Sequence, residues 1–278
     1  MNRRAVVAGL GAAAFAGCDV RRATARVVER ARGCVDLALP AARGVAVEAG
    51  VLADAGSTAK VGFALAMPEG ARVDRVAYLL PGRGGKAADA LGGMAAFLAE
   101  HLRGGGVPFA IAAMDAGESY FHRRTNGEDR FAVATVALPR LVMHRLGAAP
   151  RAEAIMGQSM GGYGALLAAE TFPTRYRAVA VAGPAIFPSY DDENRSVGDA
   201  FDSAGDYAAH DVTAHAARLR GVPVHVSVGR RDPFLPGVRR FGQALPSAQI
   251  QVRDGCHDSG FWRASAPDLI AFVARAFR

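Results

Sequence analysis

Apolar residues in this chain fall in short runs closed by glycine or proline, and stretches of helical spacing lie between them. Val45–Leu52 and Val61–Met67 read as early strands of alternating type. Arg75–Leu80 is apolar almost throughout, as expected of a strand buried on both faces. Ala88–Leu102 has helical spacing, Phe109–Met114 is a further strand, and Asp129–Leu146 reads as helical with Pro139 inside it. Ala152–Met156 leads into a helix over Met160–Thr171. Ala178–Ala182, Val222–Val228 and Gln249–Val252 complete the strands, with late helices over Gly237–Ala244 and Gly260–Phe277. No repeat or interdomain linker interrupts this series, so residues 44–278 are predicted to form one domain after a leader spanning 1–43.

Strands that alternate with helices predict an α/β fold with a mainly parallel sheet and helices on both faces. Such sheets carry their chemistry at the carboxyl ends of the strands, and that rule ranks the polar residues. Gly157-Gln158-Ser159-Met160-Gly161 is a G-x-S-x-G motif set between a predicted strand and a predicted helix. A nucleophile on so sharp a turn needs glycine two residues to either side, where a side chain would strike neighbouring backbone. Ser159 is therefore the candidate nucleophile.

The run GQSMGGYGALLAA resembles the esterase D and S-formylglutathione hydrolase group of the α/β-hydrolase superfamily, whose relatives include secreted mycolyltransferases. The resemblance runs from about Arg75 to the C-terminus and implies the α/β-hydrolase fold with triad order Ser, then Asp or Glu, then His. His210, His215, His225 and His257 follow Ser159. His257 sits in the loop before the last helix, where the superfamily keeps its base, whereas His225 lies within a strand. Asp232, in Gly229-Arg230-Arg231-Asp232-Pro233, matches the G-x-x-D-P turn that carries the acid in that family. Asp254 and Asp258 are too close to His257 along the chain to reach behind it easily.

Acyl transfer builds negative charge on a carbonyl oxygen, and two backbone N–H groups usually receive it. Met160, next to the nucleophile, offers one; Arg83, in Pro81-Gly82-Arg83-Gly84-Gly85, offers the other, with Gly84 as the alternative. The family's usual His-Gly is Pro-Gly here. No Lys-Ser or Lys-Thr follows these glycines, so the loop is no phosphate-binding P-loop. Tyr120, His122 and Arg123, in the loop after Phe109–Met114, are candidate substrate-binding residues. Pro184–Tyr207, with Phe187, Tyr190, Phe201 and Tyr207, is the expected cover of the cleft, and Trp262 near His257 reads as packing.

The expected activity is hydrolysis of a small or lipid-like carboxylic ester through an acyl-serine. Transfer to a sugar hydroxyl and a non-catalytic binding role on the same scaffold are the alternatives, since fold does not fix function. The sequence motifs call for no cofactor and no metal. The formal net charge of +7 is concentrated in the first 43 residues, where eight arginines face three acids. The remaining body is nearly neutral, which argues against nucleic-acid binding. Arg3 and Arg4, an apolar run from Ala5 to Gly17 and Cys18 resemble a bacterial lipoprotein leader, and Asn2-Arg3-Arg4 a twin-arginine one. They predict export or membrane anchoring through Cys18. The alternative is a cytoplasmic enzyme with an Ala-rich N-terminal helix, favoured by Arg21, Arg22, Arg26 and Arg30. Cys34 and Cys256 either pair or stand as separate thiols. Nothing in the sequence sets the oligomeric state.

Overall fold

The computed structural model describes residues 39–52 and 60–278. Their eight strands are β1 (Val45–Leu52), β2 (Val61–Pro68), β3 (Arg75–Leu80), β4 (Ala110–Met114), β5 (Ala152–Gln158), β6 (Tyr176–Ala182), β7 (Val224–Gly229) and β8 (Gln249–Arg253). They form one sheet in the order β1-β2-β4-β3-β5-β6-β7-β8. β2 runs antiparallel to both β1 and β4, and every other neighbouring pair is parallel. This is the α/β-hydrolase arrangement.

The central strands are apolar on both sides because each side meets a separate core. Along β3, Val76, Tyr78 and Leu80 enter one core, which also takes in α4 (Met160–Thr171) and α7 (Leu235–Ala244). Ala77 and Leu79 point into the other, closed by α1 (Ala87–Arg103) and α8 (Ser259–Ala276). The first two strands depart from the alternation read in the sequence. β1 buries only its end residues Val45 and Leu52, since it forms the sheet edge. β2, flanked by β1 and β4, is buried along most of its length.

The helix expected over residues 129–146 is broken in register. Asp129 caps α2 (Arg130–Ala132) by accepting from Ala132 N at 2.8 Å; a π turn, Val133–Ala137, follows, and then α3 (Leu138–Leu146). Pro139 has no N–H to give the Thr135 carbonyl four residues back, so an uninterrupted α-helix would leave that carbonyl orphaned. Arg175 Nη1 donates to it instead, at 2.7 Å. Asp258 caps α8 through Phe261 N at 2.8 Å.

Two short cover helices, α5 (Tyr190–Ser196) and α6 (Ala204–His210), follow β6 and were not foreseen as separate elements. Each starts at a serine that accepts from an Asp amide three residues on. Residues 1–38, with Cys18 and Cys34, lie outside the described residues. Cys256 is disulfide-bonded. Among the described residues no helix is long and apolar enough to cross a membrane.

Glu170, on α4, is buried with neither carboxyl oxygen hydrogen-bonded. Burial pushes its pKa up from the ordinary 4.5 to about 9. The folded chain thus holds this acid neutral where the unfolded chain ionises it, so stability falls as pH rises from about 4.5 toward 9. Glu170→Gln should gain about 2–4 kcal/mol over the parent at pH 7.5 relative to pH 4.5. Urea unfolding of both proteins at the two pH values measures this, and parallel pH profiles would disprove it.

Candidate active site

Ser159 joins the end of β5 to the start of α4 with φ +54° and ψ −122°, a conformation that residues with side chains rarely adopt. The flanking glycines make the turn sterically feasible. A β-carbon on Gly157 would overlap the Gly161 carbonyl, and one on Gly161 would overlap the Leu80 carbonyl. The turn is pinned by Ser159 N donating to Ala182 O at 3.1 Å and by Ala185 N donating to Ser159 O at 3.0 Å.

From that turn Ser159 Oγ lies 2.8 Å from His257 Nε2. His257 Nδ1 lies 2.8 Å from Asp232 Oδ2. A carboxylate can only accept there, so Nδ1 carries the proton and Nε2 presents a lone pair to the serine hydroxyl. Asp232 leaves the end of β7, its side chain is fully buried, and its second oxygen accepts from Phe234 N at 2.8 Å. The His257 ring is held between Phe234, at 5.0 Å, and the edge of Trp262, at 5.5 Å and 90°. The competing acids are engaged elsewhere. Asp254 pairs with Arg230 at 3.1 Å, Asp258 caps α8, and His225 is buried against Phe272.

A cavity of about 520 Å³ opens beside Ser159 and His257. Its apolar lining includes Met94, Phe97, Trp262 and Ala266, and its polar lining includes Arg83 and Lys86. The Gly82–Gly85 loop passes over the serine so closely that a β-carbon on Gly82 would sit 3.3 Å from Ser159 Cβ. Gly84 N donates to Gly117 O at 2.8 Å and Gly85 N to Gly82 O at 2.9 Å. Met160 opens α4, where an N–H has no acceptor within its own helix. The Arg83 side chain reaches Asp199 of the cover at 2.7 Å and Glu118 at 3.1 Å.

The other three expected site residues sit apart from this cavity's lining. Tyr120 is buried among Tyr163, Phe187 and Phe201, and burial, only partly offset by nearby Arg83, pushes its pKa up to about 12. Tyr120 and Phe121 both take positive φ, 53° and 52°. His122 is buried, its Nε2 bonds to Ala200 O at 2.9 Å, and burial lowers its pKa. Arg123 is exposed and bridges to Asp129 through the backbone. Beside them, Arg124 and Thr125 N hold Asp202 of the cover at 2.8 and 2.7 Å, which keeps that carboxyl near pKa 2.

Sequence reasoning gave Trp262 to packing and passed over Phe234. Their positions, five residues after His257 for Trp262 and two after Asp232 for Phe234, are the available signals. Gly183 was also missed, although it follows directly on β6 with φ +52° and faces Asp232.

The Esterase family model matches residues 103–267. The chain belongs to this esterase family. An S-formylglutathione hydrolase of Paracoccus denitrificans (strain Pd 1222) is 39% identical over 123 residues. That match spans 43% of each chain, so less than half of that relative's length is covered. A solved ferulic acid esterase superposes with a TM-score of 0.72 at 20% identity, covering 87% of this chain and all of its own. An S-formylglutathione hydrolase from Agrobacterium tumefaciens gives a TM-score of 0.71 at 17% identity, covering 87% of this chain and 99% of its own. At such identities the two structures speak for the fold alone.

A β-carbon on Gly183 would fall 2.7 Å from Asp232 Oδ2 and 3.3 Å from His257 Nδ1. Gly183→Ala should therefore displace the acid and slow labelling by a fluorophosphonate about 100-fold or more, within the range by which loss of triad alignment lowers rates. Circular dichroism should show the fold retained. Unchanged labelling would mean that Asp232 does not orient His257.

Proposed function

We propose that this protein is a serine hydrolase that cleaves carboxylic esters through an acyl-serine intermediate. The observation that carries this reading is the unbroken relay from Ser159 through His257 to buried Asp232, at 2.8 Å per step, opening on a largely apolar cavity. His257 Nε2 takes the Ser159 proton as Oγ attacks the ester carbonyl, and Asp232 stabilises the resulting imidazolium. The developing oxyanion is received by the Met160 and Arg83 amides. Arg83 is preferred to Gly84 because the Gly84 N–H is already given to Gly117. His257 then returns its proton to the departing alcohol. Water, activated by the same imidazole, cleaves the acyl-serine and restores Ser159.

Met94, Phe97, Trp262 and Ala266 suit the cavity to an apolar group of a small to medium ester, with Arg83 and Lys86 toward its polar end. Tyr120 and His122 serve, in this reading, to hold the loop against the cover and so shape the cleft, with Arg123 exposed beside them.

Ser159→Ala should abolish turnover of aryl esters, and Asp232→Asn should lower kcat by roughly 10⁴-fold. Asp254→Asn and Asp258→Asn should stay within about tenfold of the parent, because one is a surface pair and the other a helix cap. A larger loss at either than at Asp232 would redraw the relay. Product analysis in the presence of trehalose or glycerol should find the acyl group on water; recovery on the sugar would favour the transferase alternative. We further propose export, on the leader pattern alone. A mature N-terminus at an acylated Cys18 would support it, and intact Met1 in cytosolic protein would reject it.

A further inference from the structure

Away from the serine, the loop carrying His122 meets cover helix α6, which carries Asp206 and His210 one turn apart. A donor nitrogen of each histidine and a carboxylate oxygen of Asp206 lie within 4.8 Å of one another. We infer that His122, Asp206 and His210 form a binding site for a first-row divalent transition metal of the zinc type, fastening the loop to the cover.

The orientation of His122 is the decisive observation. The residue is 1% exposed. Its Nε2 faces the Ala200 carbonyl at 2.9 Å, and a carbonyl only accepts, so Nε2 carries the proton. In the neutral ring the buried Nδ1 then presents a lone pair, and it makes no hydrogen bond. What it faces is Asp206 Oδ2, at 3.6 Å. Two electron-rich atoms thus point at each other across a gap that a cation fits. Ligands of a tetrahedral zinc, bound at about 2.0–2.2 Å, stand roughly 3.4 Å apart.

His210 Nδ1 lies 2.9 Å from the Asp206 main-chain carbonyl and 3.0 Å from Asp206 Oδ1. This is the ring nitrogen that faces the carboxylate, on a ring stacked 4.6 Å from that of His122, and a metal bound there would take the place of its proton. The His210 and Asp206 side chains are 29% and 17% exposed, which gives a metal a way in and leaves a position for water. Two imidazoles and one carboxylate suit zinc, cobalt or nickel better than magnesium or calcium, which prefer all-oxygen shells. The Ala200 carbonyl is the outer partner that commonly fixes a metal-binding histidine.

The site would add a third fastening to a contact already held by Arg124 on Asp202 and by Arg83 on Asp199. It also lies one hydrogen bond from the nucleophile's helix, since Tyr163 Oη donates to His210 O at 2.7 Å. No step of ester cleavage passes through it.

The test is titration of the chelator-stripped full-length protein with Zn²⁺ by calorimetry, and with Co²⁺ by visible absorption. One equivalent should bind with submicromolar affinity, with cobalt bands of a low-coordinate nitrogen and oxygen site, and zinc should raise Tm. His210→Ala, a change at a partly exposed side chain, should weaken binding by roughly 100-fold and remove the Tm rise, since even outer partners of a metal site cost 10–100-fold. His122→Gln should do the same, and the exposed His144→Ala should do neither. No saturable binding in the parent, or binding within about tenfold of it in His210→Ala, would overturn the site.

Discussion

The architecture turns on the space available where β5 becomes α4. Ser159 adopts a positive φ because the backbone must reverse within a residue, and it can do so because neither Gly157 nor Gly161 carries a side chain. Leu80 of β3 and Gly161 of α4 approach so closely that even a methyl group would collide. This contact sets the height of the serine above the sheet. It also brings the Gly82–Gly85 loop over the hydroxyl and aims the first N–H groups of α4 at the same space. Glycine-rich sequence around a single serine is thus what the packing of β3, β5 and α4 demands.

Around that turn the parallel sheet brings distant residues together. Strands β7 and β8 lie next to each other beyond β6, so Asp232 after β7 and His257 after β8 arrive on the same edge of the sheet. Gly183, after β6, leaves the room the acid needs. The cover is held by both charge and apolar packing. Arg83 and Arg124 reach across to Asp199 and Asp202, while Phe187, Phe201 and Tyr207 fill the space beneath. The loop takes a strained path at Tyr120 and Phe121, and Phe121 packs where Gly164 of α4 lacks a side chain.

Much of this was legible in the sequence because strands covered on both faces leave unbroken apolar runs. Arg75–Leu80 and Met160–Thr171 stand at the residues expected of them. Ser159 could be picked out because it follows a strand and its flanking glycines satisfy a steric rule, and Asp232 and His257 because the family resemblance places an acid and a base after later strands. Other features depended on tertiary contacts that no local pattern records. The π turn before Pro139 relies on Arg175, which lies far along the chain. The apolar alternation of β1 predicts one covered face, yet what decides its burial is its place at the sheet edge. The loop with Tyr120, His122 and Arg123 follows β4 as expected, but the burial of Tyr120 and His122 comes from the cover, whose two short helices carry few apolar residues to announce them.

The central claim is that Ser159 carries the acyl group. The most direct measurement is mass spectrometry of the protein quenched in acid during turnover of a slow aryl ester. An added mass equal to that of the acyl group should appear on the peptide containing Ser159, build up in a burst and disappear once the ester is consumed. An acyl group on another residue, or product formed through many turnovers with no acylated protein at any quench time, would contradict it.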